Sequence, residues 1–204
     1  KGEKHDGGSI LRSFDLLRLP RFSFGTLCIF LYVGAEVSIG SLIVNYLMQP
    51  HVLGLSEQAA GNLIPVYWGG ALVGRFIGSA VLRVISPGLV LTANACVALA
   101  LILLTSNSDG GLAGYSLLAI GLTNSIMFPT IFSLASEGLG ARAADGSGII
   151  CMAIVGGAVI PPLTGHVADL TGSLALALTV PALCYAVIAG FGHIAHRQRK
   201  AALS

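Results

Sequence analysis

Charge is what this sequence has least of. Asp, Glu, Lys and Arg make up 10% of its 204 residues, against 54% apolar side chains. A water-soluble domain carries about 25% charged residues, so this chain lacks the charge to coat a surface facing water. It also lacks a basic stripe, which excludes a nucleic-acid partner. The four cysteines, Cys28, Cys96, Cys151 and Cys184, sit singly in different apolar runs. No CxxC clip and no histidine at ligand spacing accompanies them, so they read as lipid-buried structural thiols and no metal site is expected. His51, His166, His193 and His196 lie at loops or boundaries, and no catalytic constellation or phosphate-cradling glycine loop is present. The chain is therefore expected to be neither an enzyme nor a cofactor carrier. A signal peptide is missing too: residues 1–21 are mixed polar, and the apolar run that follows is too long and has no small-residue cleavage site. Starting at Lys1, the chain reads as a fragment that begins in a loop.

What is abundant is long apolar sequence. Six runs, roughly 22–48, 59–82, 88–105, 111–136, 146–168 and 174–195, are each long enough to cross a bilayer as a helix. None shows the two-residue alternation of a membrane β-strand. The breaks are chemically marked, for example by Gln49-Pro50-His51, Ser86-Pro87-Gly88 and Ser106 to Gly111 (SNSDGG). The expected organisation is a cytoplasmic loop segment over 1–21, a six-helix membrane domain over 22–195 and a cytoplasmic tail over 196–204.

Orientation follows from the excess of Lys and Arg in cytoplasmic loops. With both ends inside, all eleven basic residues fall on that side: Lys1, Lys4, Arg12, Arg18, Arg21, Arg75, Arg83, Arg142, Arg197, Arg199 and Lys200. The outer loops keep only Glu57, Asp109, Asp169 and two histidines.

Glycine and proline punctuate the spans. Gly69, Gly70, Gly74 and Gly78 line the second, where small residues allow close helix approach. Gly156-Gly157 and Pro161-Pro162 interrupt the fifth, freeing carbonyls that only protein or water can satisfy, which suggests a cavity-lining helix. The first and fourth spans share a polar interruption near their middles, Gly34 to Ser41 and Gly121 to Ser125. Matching interruptions in two triplets are a mark of carriers built from inverted three-helix repeats.

The chemistry concentrates on a few side chains. Glu36 lies near mid-membrane, where an acid costs ~2.5–3.5 kcal/mol and so faces a cavity or partner, or holds a proton. No Lys or Arg is expected at its depth. Gly34, Ser38, Ser41 and Asn45 share one face of this helix, and Glu36 lies on the other with Tyr32, Gly40, Ile43 and Leu47. Either the Ser/Asn stripe is packing glue, or the helix bends near Gly40. Asn124 with Met127, Phe128 and Pro129, and Asn62 with Tyr67 and Trp68, pair amides with aromatic faces. That combination suits a neutral polyhydroxylated ligand, amides meeting hydroxyls and rings covering C–H faces; taken singly, Tyr67 and Trp68 read more readily as ordinary lipid or packing aromatics. Arg75, Glu137 and Arg142 sit toward the cytoplasmic end as either an ion-pair gate or a solvated ring of charge.

Phe30 to Ser41 (FLYVGAEVSIGS), Val73 to Gly78 (VGRFIG), Met127 to Leu134 (MFPTIFSL) and Gly156 to Pro162 (GGAVIPP) together resemble the sugar:proton symporters of the major facilitator superfamily. The branch is the one holding the bacterial fucose permease and the glucose/galactose porters. The resemblance runs over essentially the whole chain. It implies the C-terminal half, helices seven to twelve, of a twelve-helix carrier in which two halves rock around a central sugar. It also implies a missing N-terminal half carrying the carboxylates most associated with proton coupling. The fucose branch has an amide where Glu36 stands, so Glu36 resembles the glucose/galactose branch.

The resulting expectation is a half-carrier in a bacterial plasma (inner) membrane that moves a neutral hexose with a proton. Its sugar-facing residues would be Glu36, Asn45, Asn62, Trp68 and Asn124, and its gate Arg75, Glu137 and Arg142. The alternatives are a carrier of the same fold for another neutral or amphipathic solute, and a membrane scaffold that moves nothing.

Overall fold

A computed structural model describes residues 13–203, all of whose regular structure is helical. Lys1, Lys4 and Arg12, part of the expected cytoplasmic cluster, lie outside the described residues. Eight main helices follow one another: α1 (Pro20–Leu47), α2 (Ile64–Val81), α3 (Pro87–Ser106), α4 (Gly110–Asn124), α5 (Met127–Ser136), α6 (Ala143–Met152), α7 (Gly156–Thr171) and α8 (Thr179–Leu203). Short turns of helix at Phe14–Arg18, Glu57–Gly61, Gly140–Arg142, Ala153–Val155 and Leu174–Ala177 link them.

Local chemistry sets these boundaries. Pro20, Pro65 and Pro87 stand in the first turns of α1, α2 and α3, where a missing N–H costs nothing. Ser56 and Ser173 cap the two short helices by accepting from Ala59 N (3.3 Å) and Leu176 N (3.2 Å). Gly172 ends α7 in the left-handed conformation, φ +65°. The run 111–136 divides into α4 and α5 because Pro129 leaves the Ser125 carbonyl without its helical donor. The run 146–168 divides into α6 and α7 across the 3₁₀ turn Ala153–Val155, ahead of the glycines, and α7 then runs on through Pro161 and Pro162.

Among the described residues, five continuous or near-continuous helices are long and apolar enough to cross a membrane: Pro20–Leu47, Pro87–Ser106, Gly110–Ser136, Gly140–Thr171 and Leu174–Ala201. The expected second span, 59–82, is shorter and more polar. Its first residues form the separate helix Glu57–Gly61, and Arg75, Tyr67, Trp68 and four glycines fall within α2 itself.

Helix α1 is the hub. It packs against α7, α8 and α5, while α3 packs against α8 and α4, and α4 against α2. Bare backbone makes two of these contacts possible. A side chain on Gly156 would run into the Phe30 carbonyl of α1, and one on Gly121 into the Tyr67 carbonyl of α2. In lipid, where no hydrophobic force draws helices together, close backbone approach supplies the packing energy instead.

Candidate functional site

Glu36 is held at the meeting point of three helices. Its Oε1 accepts from the Tyr32 hydroxyl, one turn earlier on α1, at 2.8 Å. The same hydroxyl lies 2.9 Å from the backbone oxygen of Asn124, at the break between α4 and α5. Asn124 donates through Nδ2 to the Tyr67 hydroxyl of α2 at 2.9 Å, and its Oδ1 accepts from Tyr185 of α8 at 2.7 Å. Tyr67 in turn reaches the Glu36 backbone oxygen at 3.5 Å. One amide thus ties α1, α2, α4 and α8 together, with all three tyrosines buried. The break in α4 matters here, because it releases the Asn124 carbonyl from the helical ladder for Tyr32.

An open, aromatic surface lies over this buried knot. Trp68, 46% exposed, packs edge-on against Tyr67 and lies beside Gly40, one turn beyond Glu36. Glu36 is half-buried, and Phe128 and Phe132 stack with ring centroids 6.3 Å apart on α5. The arrangement is a wall rather than an enclosed pocket. It presents a carboxylate, an indole face and phenyl rings toward open space.

The structure brings Glu36, Trp68 and Asn124 together and sets Asn45 and Asn62 apart. Asn124 is fully buried with both amide atoms engaged by tyrosines. Asn45 is exposed nine residues along α1 from Glu36, about 13 Å at helical rise. Asn62 is exposed at the end of the short helix Glu57–Gly61. The two faces of α1 have separate tasks. Ser38 donates to Gly34 O (2.7 Å) and accepts from Thr164 of α7 (3.1 Å), whereas Glu36 turns to α2 and α4. The helix is continuous throughout.

Arg75 is exposed on α2, six residues before its end, about 9 Å inside it. It forms none of the described ion pairs.

The other two gate candidates find different partners. Glu137 pairs with Arg21, whose Nε also donates to Leu134 O at 3.0 Å, tying the start of α1 to the end of α5. Arg142 pairs with Asp15 (2.7 Å) and Asp145 (3.5 Å). The hydrogen bond from Arg142 holds the Asp15 carboxyl below its ordinary range. Sequence reasoning missed Tyr185, Arg21 and Asp15. The only local signal for Tyr185 is a hydroxyl in an otherwise apolar turn of α8.

Comparisons with known proteins place this geometry in a lineage. No family model matches the chain. A glucose/galactose transporter of Brucella abortus biovar 1 (strain 9-941) is 55% identical over 170 residues, covering 83% of this chain and 41% of that protein. An L-fucose-proton symporter of Escherichia coli K12 is 34% identical over 173 residues, covering 85% and 39%. The crystal structure of the major facilitator superfamily transporter FucP, in the outward conformation, superposes with a TM-score of 0.86 at 31% identity. It covers 95% of this chain and 47% of that one. The chain thus spans less than half the length of the relatives it matches, and it corresponds to their C-terminal part. By sequence and by fold, it is a homologue of the glucose/galactose transporters and L-fucose-proton symporters of the major facilitator superfamily.

Proposed function

We propose that this chain forms one wall of a hexose site in a proton-coupled secondary carrier, working by alternating access opposite a second six-helix half. The observation that carries the reading is the pairing of a tethered carboxylate, Glu36, with the exposed indole of Trp68. A hexose presents hydroxyls at its rim and C–H bonds on its faces, and these two groups match them. The relatives' names, glucose/galactose transporter and L-fucose-proton symporter, support hexose and proton as the transported pair.

In this reading α2 is the sixth span and the two triplets are inverted repeats. Both ends face the cytoplasm of a bacterial inner membrane, and the bilayer is a structural partner. Arg18, Arg21, Arg83 and Arg142, at or beyond helix ends, and Arg197, Arg199 and Lys200, in the last two turns of α8, support that orientation. Asn45 and Asn62 serve the outer approach to the sugar. Asn124 is a positioning residue that fixes the three tyrosines behind Glu36. Glu137 and Arg142 act at the cytoplasmic gate by giving up Arg21 and Asp15 as the halves rock. Arg75 balances Glu36 when it is ionised.

Tyr32 suits Glu36 to a titrating role. With Glu36 ionised, the single hydroxyl proton of Tyr32 goes to the carboxylate. With Glu36 protonated, its own O–H donates to Tyr32, whose proton turns to the Asn124 carbonyl. The Glu36–Tyr32 hydrogen bond persists in both states, and protonation adds a donor for the Asn124 carbonyl.

The test is proton-driven uptake and counterflow of a hexose panel by the complete carrier. Saturable hexose accumulation that collapses with the proton gradient is expected. Failure with every hexose, together with efflux of an amphipathic compound, overturns the reading. The isolated chain in vesicles should accumulate nothing, having no opposing wall.

A further inference from the structure

Away from the Glu36 wall, the bundle carries a second candidate site where the α2–α3 turn meets the end of α8. A cavity of about 380 Å³ opens there, lined by Arg83, Ser86, His196, Arg199 and Lys200 among others. Three of these side chains are permanent cations, and among the described residues no acidic side chain lines the cavity. Nor does any described ion pair within the chain engage Arg83, Arg199 or Lys200. Among the described residues these three cations have no counter-charge, a setting suited to an external anion.

The cavity is built rather than incidental. Ser86 precedes the first turn of α3, yet its hydroxyl does not cap that helix and instead bonds His196 Nδ1 at 2.7 Å. That bond pins the α2–α3 turn to α8. The backbones close beneath it, since a side chain on Gly88 would come within 2.7 Å of Gly192 O. The α3 N-terminus therefore opens on the same side as the cations and adds its positive dipole end.

What surrounds the cavity identifies the anion. Val84 is 84% exposed, and Ile85 and Leu89 beside it are exposed too. Farther along, α3 and α8 turn Val97, Leu183 and Ile194 outward. A free phosphate has no use for such a shelf, whereas a phospholipid has a charged headgroup and acyl chains to lay along it. Basic pockets at the ends of membrane helices hold anionic headgroups for this reason. We propose that this cavity is a binding site for the headgroup of an anionic phospholipid, with Arg83, Arg199 and Lys200 meeting its phosphate and Val84 and Ile85 its acyl chains. The site rests on membrane embedding of the bundle and not on the hexose reading, so either can fail alone.

The complete carrier in phosphatidylcholine nanodiscs, titrated with phosphatidylglycerol, tests it by native mass spectrometry of retained lipid and by the shift in Tm. Arg83→Gln/Arg199→Gln should weaken phosphatidylglycerol retention about tenfold or more, each basic group near the headgroups contributing several-fold. Arg18→Gln/Arg197→Gln removes the same charge without touching the residues that line this cavity, and should weaken retention by a clearly smaller factor, since only diffuse surface attraction is lost. Val84→Glu, at an open position, should repel the headgroup and give the same loss by a second route. Equal losses in the pocket and control variants would mean diffuse surface charge and would overturn the site. So would equal protection by inorganic phosphate, or no preference for phosphatidylglycerol over phosphatidylcholine.

Discussion

The Tyr32 hydroxyl stands between the Glu36 carboxylate, at 2.8 Å, and the Asn124 carbonyl, at 2.9 Å, with one proton to share. The donor can serve only one acceptor at a time. Its choice is set by whether Glu36 carries a proton, and the Asn124 carbonyl belongs to the broken turn of α4. Protonation on α1 is thereby linked to the hydrogen bonding of the α4 break.

Glu36→Gln in the complete carrier keeps size and hydrogen bonding while removing charge and titration. Sugar affinity should fall modestly, by ~1 kcal/mol, the margin of a charged over a neutral hydrogen bond. Counterflow should persist and uphill accumulation should disappear. Tyr32→Phe should leave the sugar KM nearly unchanged and alter the pH profile of uptake. Parental uptake, counterflow and pH profile in both variants would make Glu36 a packing residue.

Asn124→Ala strands two buried hydroxyls, those of Tyr67 and Tyr185. Interhelical hydrogen bonds in membranes are worth ~0.6 kcal/mol on average and up to ~1.7. A loss of about 1–2 kcal/mol in unfolding from detergent micelles is expected on that scale. Adding Tyr185→Phe to Asn124→Ala should cost less than the sum of the two single changes, because the second no longer breaks a bond. Additive losses would mean the hydroxyls find other partners.

Much of the helical architecture was legible in the sequence, because apolar length acts locally along the chain. The knot around Asn124 was not. Tyr67 and Tyr185 lie 57 and 61 residues away from it in sequence. Periodicity says which face of a helix a residue occupies, not which neighbour meets it or at what depth. The same limit hid the Arg21–Glu137 pair, 116 residues apart. The choice between glue and bend on α1 was likewise tertiary: Thr164 of α7 claims Ser38, while Tyr32 holds Glu36 on the opposite side.

Two glycines of α7 should respond oppositely to alanine. At Gly156 the methyl meets the Phe30 backbone, so α1 and α7 must separate. A loss of about 1–3 kcal/mol is expected, typical of overpacking. At Gly165 nothing lies within 4 Å, and alanine should be neutral or stabilising by up to ~1 kcal/mol. Thermal unfolding of both variants in one detergent distinguishes them, and matching Tm values would remove the close-packing account of the α1–α7 contact.

The Asp15–Arg142 pair supplies a pH dependence of known sign. Arg142 holds the Asp15 carboxyl below its unfolded value. The contribution is thus fully present above the ordinary aspartate pKa and is lost as pH falls through the lowered folded value. Asp15→Asn should flatten the acid limb of the stability profile slightly and leave neutral stability almost unchanged, both groups being exposed. A large effect at neutral pH would contradict the exposed geometry.

Orientation is the prediction on which the gate and cavity assignments depend most. Ser56, Asn107 and Gly172 lie in the connections after α1, α3 and α7, at one end of the bundle; Ser86, Ala143 and Gln198 lie toward the other. Single cysteines at these positions need a background free of native thiols, since Cys96 and Cys151 are exposed. With an impermeant thiol reagent on sealed cells, the first three should label and the second three should not, becoming reactive only after permeabilisation. The expected asymmetry is electrostatic in origin: described Lys and Arg side chains gather at the second end, and the positive-inside bias would keep that end in the cytoplasm. The two sets also test the span count, because Ser56 and Ser86 flank α2. If α2 crosses the membrane, only Ser56 reacts from outside; if α2 lies along the surface, the two behave alike. Labelling of Ser86, Ala143 and Gln198 in intact cells would invert the topology. Arg21, Glu137, Asp15 and Arg142 would then sit at an external gate.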